Sequence, residues 1–115
     1  MLKLYNDASE YCVVNGMRLF IIDSATTQTA MIAALNTVIT NPSETSFYIN
    51  GQSDANGEWF TSPPKTPLFN GIDLRTALPK LQNLVLKTIK DSITGKFFVL
   101  EDDNKSGIRF LCEYV

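Results

Sequence analysis

The chain holds two cysteines, Cys12 close to one end and Cys112 close to the other, and it holds no histidine. Two cysteines can be buried thiols, part of a metal site or a disulfide. A structural zinc takes four ligands that are nearly always Cys or His, so carboxylates would have to complete such a site here, which is rare. Two open alternatives therefore remain, a disulfide or a pair of buried thiols.

The size and charge of the chain restrict its class. A length of 115 residues without internal repeats or a break in composition fits a single domain over residues 1–115. A formal net charge of -2 provides no positive excess for nucleic acid or anionic lipid. The longest apolar stretches, such as residues 17–22, are far shorter than the roughly 20 residues of a membrane-spanning helix. We expect no nucleic-acid partner and no membrane insertion by this domain.

The first third of the chain predicts two helices. Residues 4–16 form a helix pattern with an Asn or Asp cap, Glu10 in the first turn and Gly16 just past the end. Residues 17–22 have the length and composition of a strand. Residues 25–40 predict an amphipathic helix that ends before Pro42. Its apolar positions at helical spacing are Met31, Ala34, Leu35 and Val38.

The remainder of the chain predicts short strands and one long loop. The predicted strands are residues 47–49, 58–60, 84–89, 96–100 and 108–115, with turns expected at Asn50-Gly51 and Asn56-Gly57. Residues 61–83 hold four of the five prolines and predict a long loop, and the last strands predict an antiparallel meander. This order favours an α+β fold, with two helices packed on small antiparallel sheets.

Four segments share the order of a known family's motifs. The first is Ala8-x-x-Tyr11-Cys12-x-x-x-Gly16-x-x-Leu19-x-x-Ile22-x-Ser24, and the next is Tyr48-Ile49-Asn50-Gly51 followed by Gly57-Glu58-Trp59. Phe69-Asn70-Gly71-Ile72 and the terminal Phe110-Leu111-Cys112-Glu113 complete the set. Together they resemble the C-type lectin-like domains over nearly the whole chain.

The resemblance implies a C-type lectin-like fold with a disulfide from the helical Cys12 to the strand residue Cys112. It places the ligand region at about residues 61–104. A disulfide implies an oxidising compartment, so we expect an extracellular protein, either secreted or the ectodomain of a surface protein. The family's second disulfide is missing, since its positions fall near Leu84 and Asn104. The family also has tryptophan at motif positions where this chain has other residues, such as Tyr48. Both departures are more typical of an invertebrate member.

The resemblance also implies that the calcium chemistry of the family is lost. Leu78-Pro79-Lys80 stands where calcium-dependent members have Glu-Pro-Asn or Gln-Pro-Asp, and it offers no carboxylate or amide. Phe97-Phe98-Val99 stands at the family's Trp-Asn-Asp, again without a side-chain oxygen. Calcium needs six to eight oxygen ligands. We therefore expect no calcium at the usual sugar site, no other metal and no cofactor.

Catalysis is not expected either. Without histidine, the commonest general base and the Ser-His and Cys-His arrangements are absent. Asp102 and Asp103 are sequence neighbours, so on a strand they point to opposite faces and do not form a cooperating pair. No glycine-rich phosphate loop is present. We predict that the protein is not an enzyme.

Three functions remain, and each has its own candidate residues. The first is a recognition or adhesion module that binds a protein ligand without calcium. Its candidate contacts are Arg75, Lys80, Glu101, Asp102, Asp103 and an outward ring at Phe98. The second is a lectin with a non-standard glycan site, for which Asn70, Asp73 and Asn83 suit sugar hydroxyls. The third is a structural or self-association domain.

The run from Glu101 to Asn104 has two further readings. It is either a solvated turn or an acidic surface that contacts a ligand or a cation. Asn104-Lys105-Ser106 is in addition a sequon for N-glycosylation, which makes Asn104 a candidate modification site.

Overall fold

The computed structural model of the protein describes residues 2–41, 43–72, 74 and 78–115. Within these ranges the chain forms two helices, α1 (Tyr5–Val14) and α2 (Ala25–Val38). The strands are β1 (Met17–Leu19), β2 (Ser46–Ser53), β3 (Trp59–Thr61), β4 (Thr66–Pro67), β5 (Val85–Lys90), β6 (Phe97–Asp102), β7 (Arg109–Phe110) and β8 (Cys112–Tyr114). The fold is α+β with mainly antiparallel sheets, as predicted.

Helix α1 begins without a cap from its own sequence. Leu4 holds the N-cap position, and no side chain of its own segment accepts a hydrogen bond there. The predicted Asn or Asp cap was therefore wrong, because the chain enters the helix ahead of both residues and Asp7 lies in the first turn. Gly16 follows the helix at φ 75°, as its position past the end predicted.

Helix α2 begins at its predicted residue because Ser24 caps it. Ser24 Oγ accepts a hydrogen bond from the backbone N–H of Thr27 at 3.1 Å. Met31 and Leu35 are buried, whereas Val38 is 72% exposed and Ala34 is also exposed. The predicted apolar face was therefore only half right. Helix α2 faces the core with Met31, Leu35 and the partly buried Ile32, and not with the predicted Ala34 and Val38.

One large sheet carries most of the structure. Its strands are ordered β4-β3-β2-β5-β6, each antiparallel to its neighbour, and β7 pairs with β2 in parallel. A second sheet contains β1 and β8 alone, with Leu19 opposite Cys112. The predicted closing meander was right for β5 and β6, which pair antiparallel, and wrong for the final segment, which divides at Leu111. Its first part returns to β2 and its second part to β1.

A disulfide joins Cys12 in α1 to Cys112 in β8, across a sequence separation of 100 residues. The bond ties the beginning and the end of the domain together, and it confirms the pairing that the family resemblance implied. It is also the feature that indicates an oxidising compartment. Among the residues with described coordinates, neither helix has the length and apolar character needed to cross a bilayer.

The dipeptide Asn50-Gly51 lies inside β2 and is not the turn that we predicted. The buried amide of Asn50 donates to the carbonyls of Leu19 (3.1 Å) and Ser62 (2.8 Å) and accepts from the N–H of Ser62 (3.0 Å). These bonds satisfy a polar side chain in the interior. Gly51 is required because a Cβ there would lie 2.8 Å from Cβ of Leu86. The pair therefore joins β1, β2 and the start of the long loop.

The core consists of two groups of side chains. The larger lies between α2 and the large sheet and includes Ile22, Ile49 and Leu86. The smaller surrounds the disulfide and includes Tyr5, Ala8 and Tyr48. Burial raises the pKa of Tyr5 to about 12, although its oxygen accepts a hydrogen bond from the N–H of Gly51.

Candidate functional site

A groove of about 360 Å³ opens beside β3 and is covered on one side by the long loop. We call it the Trp59 groove. Its apolar walls are Trp59, Pro67, Leu68, Phe69, Ile72, Leu74 and Leu78. Its polar rim is formed by Glu58, Asn70 and Lys80. Concave sites of this size, mostly apolar with a few polar groups at the edge, are typical of ligand pockets.

Two contacts hold the loop residues 78–80 against β3. The indole N–H of Trp59 donates to the carbonyl of Pro79 at 3.1 Å. Gly57 adopts φ 75°, and a Cβ there would lie 2.6 Å from the carbonyl carbon of Lys80. Glycine therefore permits both the turn and the close approach of the two backbones. The groove has a preformed wall on this side.

The rim of the groove carries an ion pair that is exposed to solvent. Lys80 Nζ lies 3.0 Å from Glu58 Oε1, and the two side chains are 76% and 62% exposed. An exposed pair of this kind contributes little to stability, typically about 0–1 kcal/mol. Both charges can therefore be rearranged at little cost when another charged group approaches.

The predicted contact residues do not form one site. Asn70 and Lys80 both lie at the rim of the Trp59 groove. Asn83 is exposed at φ 64° in the turn before β5 and does not line the groove. Asp73 and Arg75 lie outside the described residues, so their predicted roles remain predictions.

The acidic residues lie in a separate depression of about 350 Å³. This acidic depression is lined by Pro79, Leu81, Leu84, Glu101, Asp102 and Asp103. It shares only the loop around Pro79 with the Trp59 groove. Glu101 Oε2 is buried there and has no hydrogen-bond partner in the described part of the chain. Asp103 is exposed to solvent.

The carboxylate of Asp102 accepts hydrogen bonds from three groups of the protein. Its Oδ1 lies 2.7 Å from Lys87 Nζ, and its Oδ2 accepts from the Tyr48 hydroxyl (3.2 Å) and the N–H of Asn104 (2.9 Å). Burial raises the pKa of Asp102, but these hydrogen bonds outweigh it, so the pKa lies below its usual value. Burial, and next the charge of Asp102, raise the pKa of Tyr48. This network points to a structural role for Asp102.

The two phenylalanines of β6 point to opposite sides, as strand alternation predicts. Phe97 is buried and its ring lies 6.0 Å from that of Phe47. Phe98 is half-buried, so the outward ring predicted at this position is only partly exposed.

The groove offers few oxygens to a metal ion. Over the ranges with described coordinates, no group of three or more Cys, Asp or Glu residues is placed to bind a metal. Of the groove residues that the structure describes, Glu58 contributes the one carboxylate and Asn70 the one amide. The absence of calcium at this loop stays a prediction.

Sequence reasoning missed the residues that define the groove. The sequence identified Trp59 and Phe69 only as members of the family motifs, and Glu58 was not considered as a partner of Lys80. One signal was available, because Gly57-Glu58-Trp59 places a tight turn directly before a large aromatic residue. The contact of Trp59 with Pro79 spans 20 residues and follows from tertiary structure alone.

No protein-family model matches the chain, and no curated protein is significantly similar to it.

Proposed function

We propose that the chain is a diverged C-type lectin-like domain that acts as an extracellular recognition module. In this proposal it binds a protein ligand through the Trp59 groove and needs no calcium to do so. The module is not an enzyme.

Three features support the family assignment. The disulfide from α1 to β8 is the bond that the motif resemblance implied. The two helices precede nearly all the strands, and the first and last strands pair with each other. A long loop region follows β3 and contributes to a groove. The disulfide also supports an extracellular location.

The apolar walls and charged rim of the Trp59 groove are the observation that favours a protein ligand. In its described part, seven apolar or aromatic side chains form the walls, and an exposed Glu58–Lys80 pair lies at the edge. An apolar pocket that receives one anchor side chain, inside a polar rim, is the usual centre of a protein interface. In its described part, the groove offers Asn70 and the rim pair as side-chain hydrogen-bonding groups, which are fewer than a glycan site needs.

The same residues support independence from calcium. Calcium takes six to eight oxygen ligands, several of them carboxylates. In the described part of the groove the one carboxylate is Glu58, which is paired with Lys80. A second cation would have to displace Lys80 and find its remaining ligands elsewhere.

A glycan remains the second candidate because of one observation. Exposed Asn70 lines the same groove as Phe69, and an amide together with an aromatic ring can bind a sugar.

Two parallel screens separate the candidates. The disulfide-bonded domain, displayed as a multimer, is tested against a panel of secreted and surface ectodomains and against a glycan array, each with and without a metal chelator. We expect an ectodomain to bind equally well in both buffers. Binding to glycans alone would contradict the proposal, and sedimentation over a concentration range tests self-association.

A matched set of variants assigns the binding to the groove. We expect Asn70→Ala combined with Lys80→Ala to weaken ectodomain binding about tenfold, or ~1.4 kcal/mol. Both side chains are exposed, so folding should be unchanged. Val38→Lys on α2 is the control, because Val38 is exposed and does not line the groove. Equal binding by all three proteins would remove the groove from the proposal.

A further inference from the structure

Asn104-Lys105-Ser106 is the one tripeptide in the sequence with the form Asn-x-Ser/Thr and a residue other than Pro in the middle. Asn41-Pro42-Ser43 has Pro at that place. The tripeptide lies between the end of β6 and the start of β7, and Lys105 and Ser106 are exposed. The sequence therefore offers one position for an N-linked oligosaccharide.

The two ends of the Asn104 side chain have different surroundings. Oδ1 accepts a hydrogen bond from the backbone N–H of Tyr5 at 2.9 Å. A donor at that place identifies the atom as oxygen, because the amide nitrogen would face another N–H. Nδ2 makes no hydrogen bond with any described residue. If it were buried, it would be a buried polar atom without a partner, and among the described residues Glu101 Oε2 is the one such atom. Asn104 Nδ2 therefore reaches solvent.

We propose that Asn104 carries an N-linked glycan on Nδ2 while its Oδ1 caps α1. The backbone of Asn104 has φ 58°, in the left-handed region that asparagine adopts more readily than most residues. The disulfide supports passage through the oxidising secretory compartment, in which N-glycosylation also takes place.

The chemistry is compatible with the cap. The donor is an oligosaccharide linked through C1 to a lipid diphosphate. Nδ2 of Asn104 forms a bond to C1, the bond from C1 to the diphosphate oxygen breaks, and the lipid diphosphate leaves with its electron pair. Nδ2 gives up one proton, and nothing is oxidised or reduced. The product keeps Oδ1 and one N–H, so the hydrogen bond from Tyr5 survives.

The test is to secrete the chain from animal cells behind a signal peptide and to map its peptides by mass spectrometry. We expect a hexosamine-containing glycan on the peptide with Asn104. Peptide-N-glycosidase should remove it and leave aspartate at that position.

Two variants separate glycosylation from folding. Ser106→Ala abolishes the sequon but retains the cap, and it also retains the Ser106 carbonyl that accepts from the Tyr48 hydroxyl. We expect it to lose the glycan and to unfold at the same urea concentration as wild type produced without glycosylation in bacteria, which also keeps Asn104. Asn104→Asp loses the glycan but keeps an oxygen for the N–H of Tyr5. It should remain folded.

Two results would overturn the proposal. One is secreted, folded, disulfide-bonded wild type without a glycan on Asn104. The other is a glycan whose attachment lowers the unfolding midpoint below that of Ser106→Ala, since that would show the glycan displacing the cap. Either result would leave ligand recognition by the Trp59 groove unaffected, because Asn104 does not line it.

Discussion

Asn104 Oδ1 accepts a hydrogen bond from the backbone N–H of Tyr5 at 2.9 Å, although the two residues are 99 positions apart. Helix α1 has Leu4 at its N-cap and no capping side chain of its own. The disulfide joins Cys12, in the last turn of the same helix, to Cys112. Both ends of α1 are thus fixed by residues from the end of the chain, so the helix and the final strands should form together.

Loss of the distant cap should be measurable. In unglycosylated protein we expect Asn104→Gly to lower the free energy of unfolding by about 1 kcal/mol, because the Tyr5 N–H loses its acceptor. Asn83→Gly is the matched control. Asn83 has a similar φ of 64°, and its side chain makes no hydrogen bond within the described ranges. Equal urea midpoints for the two variants would show that the cap contributes nothing.

The hydrogen bonds of Asp102 should make the free energy of unfolding depend on pH in the acid range. The pKa of Asp102 is lowered in the folded state, so its contribution is present above its ordinary pKa of about 3.9 and is lost as the pH falls below that value. At pH 7, wild type should be more stable than Asp102→Asn, and the difference should shrink below about pH 4. Urea unfolding from pH 7 to pH 2.5 measures this, with Asp103→Asn as the control. If wild type and Asp102→Asn differed in stability by the same amount at every pH, the hydrogen bonds of Asp102 would not be lowering its pKa.

The disulfide should contribute a large part of the free energy of unfolding. Closing a loop of this length is worth roughly 4 to 5 kcal/mol in the chain-entropy model. We expect Cys12→Ser with Cys112→Ser to lower the free energy of unfolding by about that amount. Urea unfolding of the double variant and of reduced wild type measures the change, and the two should agree. A loss below about 1 kcal/mol would contradict the role of the bond.

The close approach of Gly57 to Lys80 should be sensitive to a single methyl group. Gly57→Ala combines an unfavourable positive φ with a clash against the Lys80 backbone. Gly95→Ala has φ 71° but no atom within 4 Å of the added Cβ, so it reports the cost of the backbone angle alone. We expect Gly57→Ala to lose about 1 to 2 kcal/mol more than the control. Equal losses in thermal unfolding would show that the loop simply moves away.

Local patterns predicted the elements whose partners are near in sequence. Helix α2 begins at Ala25, where the sequence predicts it, and β5 and β6 form an antiparallel pair. The failures involve distant partners. Asn50 follows a turn pattern but is held inside β2 by Leu19 and Ser62, which lie 31 and 12 positions away.

The candidate site was only partly predictable for the same reason. The long loop identified the region, and Asn70 and Lys80 were chosen for their chemistry. The apolar wall depends on Trp59 meeting Pro79 across the loop, which no local pattern specifies.

The most direct test is an equilibrium titration in excess chelator of the ectodomain selected in the screen. It compares wild type, the Asn70→Ala/Lys80→Ala variant and the Val38→Lys control. We predict saturable binding by wild type and by the control, with the groove variant about tenfold weaker. Binding that disappears in chelator, or that is the same for all three proteins, would contradict calcium-independent recognition through the Trp59 groove.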